Sequence, residues 1–116
     1  MNLHLCLHLS FYAITLYILL PGSLQTESLG VNWGIQASHP LPPSIVVQLL
    51  KSNGISKVKL FDANSSVLNA LVDSDIEVMV GIPNDLLSGL TNPTKAVSWV
   101  QDNIKPYMSS NSVNIK

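Results

Sequence analysis

At 116 residues the chain holds at most one domain. Six Lys and Arg against seven Asp and Glu leave a net charge of −1, and these residues are scattered rather than blocked, so no nucleic acid or acidic surface is expected as partner. The single Cys and the three His, only one of which (His39) lies beyond the opening stretch, exclude a disulfide framework, a zinc cluster of several His and a His-based triad.

The first twenty residues, "MNLHLCLHLSFYAITLYILL", contain no acid, Lys or Arg, and the run from Leu9 to Leu20 is almost wholly apolar. "PGSLQTES" follows, with a helix-breaking pair and small residues suited to a peptidase. That order predicts a secretory signal peptide over residues 1–26, cleaved between Gly22 and Ser28, with the α-amino group, His4 and His8 in place of a basic n-region. The apolar core is shorter than the ~20 residues of a membrane span, so a secreted chain is expected rather than an anchored one. Cys6 lies in the leader and leaves the mature chain without cysteine, dependent on an apolar core.

Two patterns then alternate. The run "LGVNWG", Leu29 to Gly34, leads through "HPLPP" into "PSIVVQLLKSNG", where Ile45, Val46, Leu49 and Leu50 form a helical stripe, Pro43 suits the first turn and Gly54 the position past the end. The run "KVKLFD" leads into "NSSVLNALVDSD", with Val67, Leu68, Leu71 and Val72 at the same spacing and Asn64 or Ser65 as cap. The run "IEVMVGIPN" leads through "DLLSGL" into a helix opened by Asn92-Pro93, striped by Ala96, Val97, Val100, Ile104, Tyr107 and Met108 with Trp99 beside them. "SVNIK" reads as the opening of a fourth strand.

Strand and helix in regular succession predict an α/β fold of parallel strands with crossover helices, and Val78-Met79-Val80 suggests strands apolar in part on both faces. Periodicity alone leaves an open sheet and a closed barrel equally allowed. No G-x-G-x-x-G follows the first strand and no Walker-type Gly-Lys-Ser/Thr occurs, so neither a dinucleotide nor a phosphate cradle is expected.

Each apolar run stops at polar or aromatic residues: Asn32 and Trp33, Asp62 and Asn64, Asn84 and Asp85. In a parallel sheet all three groups share the C-terminal edge, where α/β folds build their sites. Amides and carboxylates beside an aromatic ring suit a sugar, which offers hydroxyls to the first and C–H faces to the second. The competing readings are local: Trp33 as core, Asn84 and Asp85 as caps of the next turn, Asn32 as a partner of loop backbone.

"LGVNWG", "HPLPP", "NGISKVKLFDA", "EVMVGIPND" and "AVSWVQDNIKPY" occur in order, and with them the sequence from Leu29 onward resembles glycoside hydrolase family 17, the plant-type glucan endo-1,3-beta-glucosidases. The resemblance implies a (β/α)8 barrel. Since a full barrel takes about 250 residues, residues 27–116 are expected to be the N-terminal part of one, three βα units and the start of a fourth strand. It also implies retaining hydrolysis of a callose-like β-1,3-glucan in carbohydrate metabolism, outside the cell or in its wall, without a cofactor, by a protein monomeric at full length. Any lipid anchor would lie downstream.

The family's two glutamates, an acid/base in an Asn-Glu-Pro motif closing the fourth strand and a nucleophile on a later strand, act across the glycosidic bond. No catalytic residue is therefore expected among these 116, since Glu27 sits at the leader boundary and Glu77 opens a strand at the wrong end. Asn32, Trp33, Phe61, Asp62 and Asn84 carry over as substrate-binding wall and floor, Asp62 ordering the cleft through hydrogen bonds rather than acting as an acid. The alternative function is a non-hydrolytic β-glucan-binding chain, or a truncated product without function.

Two positions depart from the family pattern. Asp75 stands where Gly is usual before the third strand, which a left-handed Asp tolerates. Asn64 replaces a frequent Asp and creates Asn64-Ser65-Ser66, the one glycosylation sequon, since Pro93 blocks Asn92-Pro93-Thr94. A glycan there would be expected to obstruct the cleft, and an Asn that caps a helix beside a folded strand would be a poor acceptor.

Overall fold

The computed structural model describes residues 28–108 and 112–116, together with His4, His8, Ser10 and Tyr12. The leader expected over residues 1–26 lies outside the described residues except at those four helical, exposed positions.

Strand β1 (Leu29–Trp33) is followed by α1 (Pro43–Ser52), β2 (Ile55–Leu60), α2 (Ser65–Ala70) and β3 (Glu77–Val80). Two short 3-10 turns (Asn84–Leu86 and Gly89–Thr91) then lead into α3 (Pro93–Asn103), α4 (Lys105–Met108) and β4 (Asn114–Ile115). The four strands form one sheet in the order β1-β2-β3-β4, every pair parallel. Sequential order with a crossover between each pair is what the alternation predicts.

The element ends follow local chemistry. Pro43 opens α1, where its missing N–H is not needed, and Gly54 follows the helix at φ 68, its amide donating to the Lys51 carbonyl at 3.1 Å. Asn64 caps α2: its Oδ1 accepts from the amides of Ser66 (3.0 Å) and Val67 (3.2 Å), two donors the helix cannot satisfy itself. Asn92 does the same for α3, accepting from Thr94 at 2.9 Å.

Between α2 and β3 the chain turns through two left-handed aspartates, Asp73 at φ 52 and Asp75 at φ 61. Buried Ser74 ties them, donating to the Leu71 carbonyl at 2.7 Å and accepting from the Ile76 amide at 3.2 Å. Asp75 thus holds the conformation for which the family pattern uses Gly.

The core lies on one face of the sheet only. Val58, Leu60 and Val78 from the strands meet Val47 and Leu50 of α1 and Val67, Leu68 and Leu71 around α2, with Leu68 and Val78 fully buried. The other face presents Asn32, Lys57, Lys59, Met79 and Asn114, all exposed, in rows set by the register Lys57–Glu77–Asn114 and Asn32–Lys59–Met79. Strands apolar in part on both faces are seen at β3, where Val78 is fully buried in the core and alternation places Met79 on the other face among charged and amide residues.

Two helix stripes also shift. In α1 the buried side is Val47 and Leu50 with Val46 at its margin, whereas Ile45 and Leu49 are exposed. With apolar residues at three consecutive positions, spacing cannot choose between stripes one residue, or about 100°, apart. In the last helical stretch Ile104 is buried and Ala96, Trp99 and Tyr107 are half-buried, while Val97, Val100 and Met108 face outward. The break between α3 and α4 at Ile104, just before Pro106, turns the face between them.

Candidate functional site

The C-terminal ends of β1, β2 and β3 lie side by side, so the residues just past them meet. Trp33, Lys59, Phe61, Asp62, Asn84 and Asp85 line a cavity of about 770 Å3 together with Gly34, Ile35 and Gln36 and with Gly81-Ile82-Pro83. Four of the five expected binding residues, Trp33, Phe61, Asp62 and Asn84, are therefore brought together. Their common edge follows from parallel strands in register, with Trp33 opposite Leu60 and Leu60 opposite Val80.

Trp33 is placed between the core and the cavity. It is half-buried and packs against the core cluster, and it also forms cavity wall. Phe61 is 52% exposed and leaves a ring face open to the cavity. Alternation puts Phe61 on the same side as Lys57 and Lys59, and the Lys59 Nζ stands 5.9 Å from its ring centroid, at the outer range of a cation–π contact. The backbone beneath the ring is tight, for the Gly81 amide donates to the Leu60 carbonyl at 2.8 Å.

Asn84 begins a 3-10 turn whose first turn takes no side-chain cap. The capping role weighed for Asn84 and Asp85 is thus not the one they fill, and both side chains are exposed on the cavity. Asp62 is half-buried, and its carboxylate makes no hydrogen bond or ion pair with a described residue. Among the described residues, then, none is held by an Asp62 hydrogen bond, and the carboxylate is part of the cavity lining.

Asn32 stands apart from the other four. It pairs in register with Lys59 on the open sheet face and does not line the cavity. It shares that face with Lys59, its register partner, which does line the cavity. Asn64 is also separate. It lines a second cavity of about 630 Å3 behind Trp33, walled by Ile35, Pro40, Leu41, Pro42, Pro43 and Val46. Trp33, Gly34 and Ile35 are the partition between the two cavities.

Lys59 and Gln36 are cavity residues that the sequence reading did not single out. For Lys59 a signal existed: "KVKLF" alternates charge and aliphatic, the mark of a strand with one polar face, and it carries Lys59 to the same side as Phe61. Gln36 lies in a loop without periodicity, where no such signal operates. Glu77 is at the other end of the sheet, 3.6 Å from the Lys57 ammonium.

Comparison with known proteins places this geometry. The chain is 53% identical over 109 residues to glucan endo-1,3-beta-glucosidase 5 of Arabidopsis thaliana, covering 91% of this chain and 22% of that protein. It is 51% identical over 112 residues to glucan endo-1,3-beta-glucosidase 9 of the same plant, covering 95% and 23%. Among solved structures, plant beta-glucan endohydrolases superpose with a TM-score of 0.70 at 39% identity, over 76% of this chain and 28% of that one. CJP38, a beta-1,3-glucanase and allergen of Cryptomeria japonica pollen, gives 0.70 at 40% identity, over 77% and 28%. The chain thus spans about a quarter of the length of the relatives it matches, and its parallel strands and crossover helices are those of the N-terminal part of a (β/α)8 barrel. Residues 29–116 match Glycosyl hydrolases family 17, and the chain belongs to that family.

Proposed function

We propose that this chain supplies one wall of the substrate cleft of a secreted endo-1,3-beta-glucanase acting on β-1,3-glucan. The observation that carries the reading is the meeting of Trp33, Phe61, Asp62 and Asn84 from three strand ends around one cavity. An exposed ring and a half-buried Trp offer surface for the C–H faces of a glucosyl unit, and an unpartnered carboxylate with an exposed amide accepts and donates to its hydroxyls. Lys59 supports Phe61 from the open face of the sheet.

The 116 residues are proposed to bind glucan without cleaving it. Retention needs two carboxyl groups about 5–5.5 Å apart across the bond, one to protonate the leaving oxygen and one to attack the anomeric carbon. Glu77 is turned to Lys57 at the opposite end of its strand from the cavity. Secretion, with the extracellular space or cell wall as destination, belongs to the same proposal and rests on the apolar opening of the sequence.

Electrophoresis of the purified chain through gels containing soluble β-1,3-glucan tests this, with a reducing-end assay on the same preparation. Retardation lost in Trp33→Ala and Phe61→Ala, with no reducing ends released, is expected. Equal mobility with and without glucan would overturn the cleft assignment, and release of reducing ends above a blank would overturn the division between binding and chemistry.

A further inference from the structure

We propose that Asn64 is an N-glycosylation site whose glycan lies in the apolar cavity behind Trp33, outside the substrate cleft. Asn64-Ser65-Ser66 has the required Asn-x-Ser pattern, with no proline at the middle position. The inference rests on the secreted reading, since the modification belongs to the secretory pathway.

Capping and modification use different atoms of the same side chain. The cap of α2 is made by Oδ1, which accepts from Ser66 and Val67. Nδ2 donates to no described residue and is not among the buried, unpaired side-chain atoms. Glycosylation forms a bond from Nδ2 to the anomeric carbon of an oligosaccharide and breaks that carbon's bond to the lipid diphosphate that carries it. The amide loses one proton and the diphosphate leaves. The product is still an amide, with one N–H and an intact carbonyl, so Oδ1 keeps both of its bonds. The cap is no obstacle to occupancy.

The surroundings of Asn64 offer the sugar a seat. Asn64 lines the 630 Å3 cavity and not the 770 Å3 one, and Trp33 lines both, so the proposed seat of the glycan is the first, beside Trp33 and outside the cleft. Pro40, Pro42 and Pro43 give that space rigid apolar walls, against which the C–H faces of a first N-acetylglucosamine can pack. On this proposal the glycan does not obstruct the cleft: it shares a partition with the substrate rather than a site.

The test is cell-free translation of the full chain with microsomes, beside a version in which a known cleavable secretory leader replaces residues 1–26. Ser66→Ala is the control, because it removes the sequon while leaving the capping Asn64 in place. The expected result is one added glycan, sensitive to endoglycosidase H, absent in Ser66→Ala and mapped to Asn64 by mass spectrometry. Absence of the glycan on protease-protected chains carrying the known leader would overturn the proposal. A glycan acquired with the known leader but not with residues 1–26 would uphold the site while refuting secretion. Hydrogen exchange over residues 34–43, slower in the glycosylated chain than in Ser66→Ala, is expected from the seating, and equal exchange would refute it.

Discussion

Gly81 and Leu60 approach so closely that a side chain at residue 81 has no room. The Gly81 amide donates to the Leu60 carbonyl at 2.8 Å, and a Cβ at Gly81 would stand 2.8 Å from that same oxygen and 3.2 Å from the Phe61 Cα. The contact extends the β2–β3 ladder one step beyond the strands and holds Phe61 and Asp62 at the cavity.

Gly81→Ala is therefore expected to part the strand ends. Overpacking of this kind costs about 1–3 kcal/mol, read as a lower urea midpoint. Binding of β-1,3-glucan should weaken as well, because the displaced backbone is that of Phe61. An unchanged midpoint would mean that β3 can move aside without cost.

The cap at Asn64 gives a graded series. Asn64→Ala should destabilise the chain by about 0.5–2 kcal/mol, and Asn64→Asp by much less, because a carboxylate accepts from the same two amides. Equilibrium unfolding of the three proteins separates the cap from other roles of the site. Equal losses in Ala and Asp would show that the amide nitrogen, not Oδ1, holds the helix.

What the sequence revealed and what it withheld divide along physical lines. Alternation of strand and helix, Pro43 in the first turn of α1, the caps at Asn64 and Asn92, and the shared edge of Trp33, Phe61, Asp62 and Asn84 depend on spacing or on single residues with strong local preferences. The buried side of α1 was not legible because Ile45-Val46-Val47 is apolar throughout, and only the position of the sheet selects Val47. Asn32, on the open sheet face beside Lys59, is not among the residues that line the cavity, a separation that spacing alone does not decide. The destination of a glycan at Asn64 depends on which side of Trp33 the α2 terminus falls, a tertiary fact that no local pattern encodes.

Asp75 tests the cost of the left-handed turn before β3. At φ 61 a β-branched side chain is disfavoured, so Asp75→Val should lose about 1–2 kcal/mol. Asp75→Gly should be close to neutral, since relief of the left-handed conformation offsets the greater freedom of glycine in the unfolded chain. Thermal melts of the pair check both, and a strongly destabilised Gly variant would point to a role for the Asp75 carboxylate.

The Lys57–Glu77 pair is a structural contact on the open sheet face, and its chemistry separates it from the cleft. The two side chains are 47% and 37% exposed and 3.6 Å apart, so solvent screens most of their attraction. A double-mutant cycle with Lys57→Met and Glu77→Gln should give a coupling below about 1 kcal/mol that shrinks with added salt. Glucan retardation by Glu77→Gln should match that of the unaltered chain, because Glu77 begins β3 whereas the cavity lies past its other end. A large drop in retardation, at unchanged stability, would place a carboxylate of this chain in contact with substrate and return Glu77 to the search for catalytic groups.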